Sequence, residues 1–157
     1  MTAVAFEDMG EEVAGVWEAM FGISGVAMDP ESYAPSDPTL VGTVHITGPF
    51  SFTIVVECST GGAAAAAAAM FEMEPSDLEA EQVRDAFGEI VNIVGGHLKN
   101  KLGGVSKLSV PSVVEGSKLT YRVNKVTRVA WCAFTTDSGH VRVTIYQDAE
   151  DRPQGVQ

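Results

Sequence analysis

The feature that most constrains this chain is a change of hydrophobic period near residue 103. Between residues 78 and 102 the apolar side chains Val83, Phe87, Ile90, Val91, Val94 and Leu98 recur at three- and four-residue steps. That is one face of a helix, and it predicts the longest element of the chain. Beyond it the segments 106–114, 118–124, 127–136 and 140–148 are rich in Val, Thr, Tyr, Ile and Trp, the composition of strands. A long helix with a single apolar face must lie on something, and the strands that follow supply the surface.

The first part of the chain repeats the theme. Phe6, Met9, Val13, Val16, Trp17 and Met20 predict a helix over 5–22, with Gly22 as its stop. Pro30, Pro35 and Pro38 make 23–39 a loop. Residues 40–47 and 50–58, separated by Gly48-Pro49, predict a hairpin. Ser59 or Thr60 then caps a helix built on seven alanines at 63–69. Glu74-Pro75 breaks that helix, Ser76 with Glu79 reads as the capping box of the long one, and Gly103-Gly104 ends it. The expectation is an α+β protein: an antiparallel sheet with two long helices and a short Ala-rich helix packed on it. It forms one domain over 1–157, with its core between about 5 and 148 and a frayed polar C-terminal tail.

Charge narrows the partners. Ten Lys and Arg against 21 Asp and Glu give a formal net charge of −11. Nucleic-acid backbones and anionic membrane surfaces both demand the opposite sign. No apolar run reaches the ~18 residues that cross a bilayer, and the acidic start lacks the basic region of a secretory signal. Cys58 and Cys132 lie far apart in apolar runs, the pattern of buried thiols in a reducing compartment. A soluble, cytoplasmic protein is expected. His45, His97 and His140 are dispersed, and no metal-ligand spacing occurs. Trp17 and Trp131 fall on apolar faces and are expected in the core.

The outward face of the long helix is unusual. At about 100° per residue, with Asp85 at zero, Glu89 falls near +40° and Asn92 near −20°. Gln82, Gly96 and Asn100 lie in or beside the same stripe. Like charges at i,i+4 cost a helix ~0.2–0.5 kcal/mol. Asn is a poor mid-helix residue, and Gly88, Gly95 and Gly96 each cost about 1 kcal/mol relative to Ala. A helix selected only for stability would not collect these residues, and glycines beside a polar stripe would let another surface approach.

The run Asp85-Ala-Phe-Gly-Glu-Ile-Val-Asn-Ile-Val-Gly-Gly-His-Leu-Lys resembles the signature helix of the CheC/CheX/FliY chemotaxis phosphatases, and is most similar to the CheX branch. The segment 108–114 resembles the strand after that helix, and the order of elements over roughly 40–147 matches. Two positions depart. The family signature has a proline 23 positions after the Asn, where this chain has Glu115, with Pro111 the nearest proline. His97 stands where related sequences often carry Asn.

The resemblance implies hydrolysis of the phospho-aspartate of a CheY-like response regulator. Asn92 would orient the attacking water and Glu89 would engage a lysine of the regulator. Asp85, Gly96 and His97 would contact the partner. An acyl phosphate is already activated, so a placed water suffices and no nucleophile of this chain is required. The Mg²⁺ would sit on the regulator, with no cofactor or metal on this chain. The resemblance also implies a homodimer. The alternative is a non-catalytic binding module or adaptor for a regulator in a signalling assembly.

Overall fold

A computed structural model describes residues 8–36, 38–102, 105–117 and 121–149. Helix α1 is Met9–Phe21, α2 is Thr60–Phe71 and α3 is Ala80–Leu102. The strands are β1 (Val26–Met28), β2 (Thr39–Thr47), β3 (Phe52–Ser59), β4 (Lys107–Leu108), β5 (Ser112–Gly116), β6 (Val126–Thr136) and β7 (Gly139–Asp148). The part of the first helix before residue 8, its Phe6 included, lies outside the described residues, as do the Gly103-Gly104 stop, residues 118–120 and the tail from 150.

All seven strands join one antiparallel sheet, in the order β1-β6-β7-β3-β2, with β4 and β5 both pairing β2 on its other side. The single strand predicted over 106–114 is thus broken in two. Pro111 cannot donate to a ladder, and Ser109 bridges the gap: its backbone donates to the His45 carbonyl at 2.9 Å and its Oγ accepts from the His45 N–H at 2.9 Å. Two other expectations change. The proline-rich 23–39 contains β1 and a 3₁₀ turn at Pro30–Ser32. Residues 121–124 are not a strand.

The three helices cover one face of the sheet: α1 over β6, α2 over β3 and β7, α3 over β2 and β5. Their shared core includes Trp17, Leu40, Val44, Ile54, Val56, Phe134, Val143 and Ile145, together with the predicted apolar face of α3. At 12 residues the alanine helix is the shortest of the three described helices, one residue shorter than α1 and about half the length of α3. It sits between its neighbours with Ala63, Ala66 and Ala67 buried, and its small side chains let the helices approach. Ser59 caps it, its Oγ accepting from the Gly62 N–H at 3.0 Å. Gly22 ends α1 at φ 66°, a left-handed conformation that favours glycine.

The long helix starts at Ala80, two residues later than expected, and its cap moves by three, from Ser76 to Glu79. Pro75–Asp77 forms a 3₁₀ turn, which consumes Ser76. The cap is instead Glu79, whose N–H donates to Gln82 Oε1 at 2.9 Å while its carbonyl accepts the first helical bond from Val83 at 3.1 Å. This is half of a capping box in a new register.

The other face of the sheet is built differently. Glu57, in β3 and only 3% exposed, meets Arg142 of β7 through two bonds, Nε–Oε2 at 2.7 Å and Nη2–Oε1 at 2.9 Å. The Arg142 guanidinium lies 4.6 Å from the ring centre of Tyr33. Burial alone would lower its pKa, but hydrogen bonding to Glu57 and its charge more than offset this and raise it. Residues 121–125 cross this face on the way from β5 to β6. Trp131 belongs here too: it is half-buried with Arg128 stacked 3.6 Å over its ring, and not in the helix-covered core.

Candidate functional site

Two glycines set how closely α3 lies on the sheet. A side chain at Gly42 of β2 would collide with Val91 and Phe87. One at Gly95 would come 2.9 Å from Val44 and 3.0 Å from Leu108. With that side of the helix pressed onto β2, the stripe of Asp85, Glu89 and Asn92 faces away from the sheet. Asp85 and Glu89 are exposed and Asn92 is half-buried. None of the three side chains has a hydrogen-bond or ion-pair partner among the described residues.

The structure separates the other residues singled out by sequence. Of the three helix glycines, Gly95 is buried against this chain's own sheet, and Gly88 makes ordinary contact with Val113 at 3.6 Å. Only Gly96 has open space above it, so it alone could admit another surface. His97 is exposed. Gly96 and His97 line a wide groove of about 670 Å³ between α3 and the segment 106–108, with Ile93, Lys99 and Asn100. Asp85, Glu89 and Asn92 are not among its lining residues. The groove begins at Ile93, the residue after Asn92, and runs toward the C-terminal end of α3. Gln82 leaves the stripe, because its side chain turns back to cap the helix.

The flanks of the stripe are fixed by ion pairs. Arg84 Nη1 reaches Glu115 Oε1 at 2.9 Å, which ties the start of α3 to β5. Glu115 is the position where the family signature has proline. Lys101 Nζ pairs with Glu12 Oε1 of α1 at 2.9 Å at the other end.

Sequence reasoning passed over Lys99. It is half-buried, lines the groove and carries no carboxylate partner among the described residues. At seven residues from Asn92 it falls near −40° on the same stripe, at about 100° per residue. The spacing therefore held the signal.

No three His, Cys, Asp or Glu among the described residues cluster to hold a metal. His45 Nδ1 lies 3.0 Å from Thr53 Oγ1, and His140 packs edge-on to Tyr33 at 6.5 Å. Cys58 and Cys132 are unpaired and buried, and burial pushes both thiols up to about 12. No helix among the described residues is long and apolar enough to cross a membrane.

An antiparallel sheet covered on one face by three helices is the fold of the CheX- and CheC-like structures. Chemotaxis protein CheX from Vibrio vulnificus superposes with a TM-score of 0.73 at 23% identity, over 88% of this chain and 92% of its own. CheX from Desulfovibrio desulfuricans gives 0.72 at 24%, over 92% and 99%. The CheX of a CheX-CheY-BeF3-Mg²⁺ complex from Borrelia burgdorferi gives 0.67 at 18%, over 92% and 96%. No curated protein matches the sequence. The family model described as chemotaxis phosphatase CheX matches residues 40–135. The chain belongs to the chemotaxis phosphatase CheX family.

Proposed function

We propose that this protein hydrolyses the phospho-aspartate of a CheY-like response regulator, with Asn92 and Glu89 as its working residues. One observation carries the reading: Glu89 and Asn92 stand a turn apart on the outward stripe of α3, unpartnered among the described residues, in a member of the CheX family. The Asn92 carboxamide both accepts from and donates to a water. It holds that water in line with phosphorus while the P–O bond to the aspartyl carboxylate breaks, leaving a free carboxylate and phosphate. This is the part a water-positioning Gln plays in GTPases. The Glu89 carboxylate engages a lysine of the regulator and fixes the two proteins together. Asp85 lies at the edge of that contact, and Gly96 and His97 extend it past Asn92. Mg²⁺ comes with the regulator. The Borrelia burgdorferi CheX, whose fold this chain shares, forms a complex with CheY, BeF3 and Mg²⁺.

The same reading puts the protein in the cytoplasm and carries the expectation of a homodimer. A second copy could pair along the outer sheet edges at β1 or at β4 and β5, which light scattering tests.

The test of the activity is to mix the protein with phosphorylated regulator and Mg²⁺ and to follow loss of the phosphoryl group. Asn92→Ala should slow the accelerated reaction by about 10²-fold or more, the scale of misplacing one reacting group. Its fold should be retained, because Ala favours a helix more than Asn does. Equal decay with and without the wild-type chain, across a panel of regulators, overturns the reading. Binding of a BeF3-activated regulator without any rate effect points to the adaptor.

A further inference from the structure

The stripe on α3 is bipolar. Its N-terminal half carries Asp85 and Glu89, Asn92 stands at the middle, and Lys99 closes it. All four lie within about 40° of one line along the helix, at about 100° per residue. Lys99 follows Glu89 by ten residues, a rise of about 15 Å, and Asn92 by seven, about 10 Å. The helix dipole favours a cation in the last turn, which accounts for Lys101 as well. But Lys101 is already paired with Glu12, whereas Lys99 lines the groove with no carboxylate partner among the described residues. Among the described residues the groove has no acidic lining residue, although Lys107 of β4 also lines it. In a chain of net charge −11, the described lining of this groove carries two cations and no acid.

We propose that Lys99 and the groove beside it receive a carboxylate-bearing segment of the same phosphorylated regulator, next to its phospho-aspartate. This rests on the phosphatase reading and deepens it. Lys99 is too far along the helix from Asn92 for its four-carbon stem to serve the transferred phosphoryl group. It contacts instead what flanks that group. The acidic half takes the regulator's base and the basic half takes its acid, so the partner docks with one polarity along α3. The reverse polarity would set like charges together at both ends, which is how interfaces reject wrong registers. Lys99 is thus a positioning residue, and Gly96 keeps the path to it open.

The experiment measures dephosphorylation against regulator concentration at several salt concentrations, for the wild-type chain, Lys99→Glu, Lys99→Gln, Lys99→Arg and Arg122→Glu. Arg122 makes the same charge change on the opposite face of the sheet, where it lines a separate cavity with Val41 and Val114. Lys99→Glu should raise KM by about three- to tenfold, leave kcat within about twofold and flatten the salt dependence. Lys99→Gln, which places no acid at the helix end, should show a smaller rise in the same direction. Lys99→Arg and Arg122→Glu should behave as wild type. An unchanged KM in Lys99→Glu, or a loss confined to kcat, overturns the proposal. If the wild-type chain shows no turnover, binding of BeF3-loaded regulator decides. Weakening by Lys99→Glu leaves this proposal standing while the phosphatase reading falls; equal binding removes the proposal; no binding to any regulator removes both.

Discussion

The two faces of the sheet are made by opposite means. On the helix side, Val44, Ile54, Val56, Val143 and Ile145 meet helices through apolar contact, and glycine and alanine set the distance. On the other side, a buried carboxylate, a guanidinium and aromatic rings hold the face together under a chain segment without regular structure. The helix side depends on shape and gains by the removal of apolar surface from water. The other side depends on pairing, and a buried pair is safe only while both members are present. This contrast bears on function. The stripe of α3 is seated by the side that depends on shape, with ion pairs only at its flanks, so its geometry does not hinge on the buried pair of the other face.

The most severe way to break the contrast is to remove Arg142. Glu57 would be left buried with its charge unmatched, and Arg142→Ala should cost about 3–5 kcal/mol in denaturant unfolding. Removing both members, as Glu57→Leu with Arg142→Leu, should recover most of that loss, because apolar residues of similar volume can replace a buried pair. On the helix side no second truncation repairs the first. Phe87→Ala should cost a similar 3–5 kcal/mol, and adding Val91→Ala should deepen the loss. If the double Leu variant is as unstable as Arg142→Ala alone, the pairing account of this face is wrong.

The same contrast explains what the sequence showed. A face that depends on shape leaves a period in the chain, and the apolar residues of α3 were readable one by one. Pairing across strands leaves none: Glu57 and Arg142 are 85 residues apart, and a lone acid in an apolar strand names no partner. Tyr121 and Val123 alternate like a strand, but a segment laid across a sheet needs the same alternation, so periodicity could not choose. β1 is three residues long, too short for a period, and sits beside Gly25, where a side chain would collide with the Phe134 ring. The capping box was misplaced because Ser76/Glu79 and Glu79/Gln82 both present a cap-like pair, and only the turn at Pro75 decides between them. The Glu89 and Asn92 stripe was legible because it lies on one helix. The groove beside it was not, since its far wall comes from residues 106–108.

Alkaline pH should separate the faces next. Cys58 and Cys132 belong to the helix-side core, and burial holds both thiols up to about 12. Above a pH of about 9 the unfolded thiols lose their protons while the folded ones keep theirs. The folded state then binds more protons than the unfolded one, so stability falls as pH rises, by about 1.4 kcal/mol per thiol for each unit up to roughly 12. Below about pH 8 the contribution is complete. Tyr33 and Tyr121 flank the ion pair on the other face, and burial followed by the charge of Glu57 raises both. Their unfolded counterparts titrate only near 10. Urea unfolding at pH 8, 9 and 10 should therefore show a decline that Cys58→Ala and Cys132→Ala make shallower. A slope unchanged in those variants would assign the alkaline sensitivity elsewhere.

The smallest effect is also the sharpest, because it sets two adjacent residues against each other. Gly95 and Gly96 carry the same intrinsic penalty in a helix, about 1 kcal/mol relative to Ala. What a methyl group would meet differs. At Gly96 there is nothing within 4 Å, so Gly96→Ala should stabilise the protein by about 0.5–1 kcal/mol. At Gly95 the methyl would press on Val44 and Leu108 at 2.9 and 3.0 Å. Either α3 lifts from the sheet or those side chains leave their rotamers, at a cost of about 1–3 kcal/mol that outweighs the gain in propensity. Gly95→Ala should thus be neutral to destabilising by up to about 2 kcal/mol, measured by the same unfolding assay. A lifted helix would also move Asn92 and Glu89 together, so Gly95→Ala should lower phosphatase activity although it touches no partner. Two variants of equal stability would mean that the helix side yields to a methyl group, and that shape does not govern it.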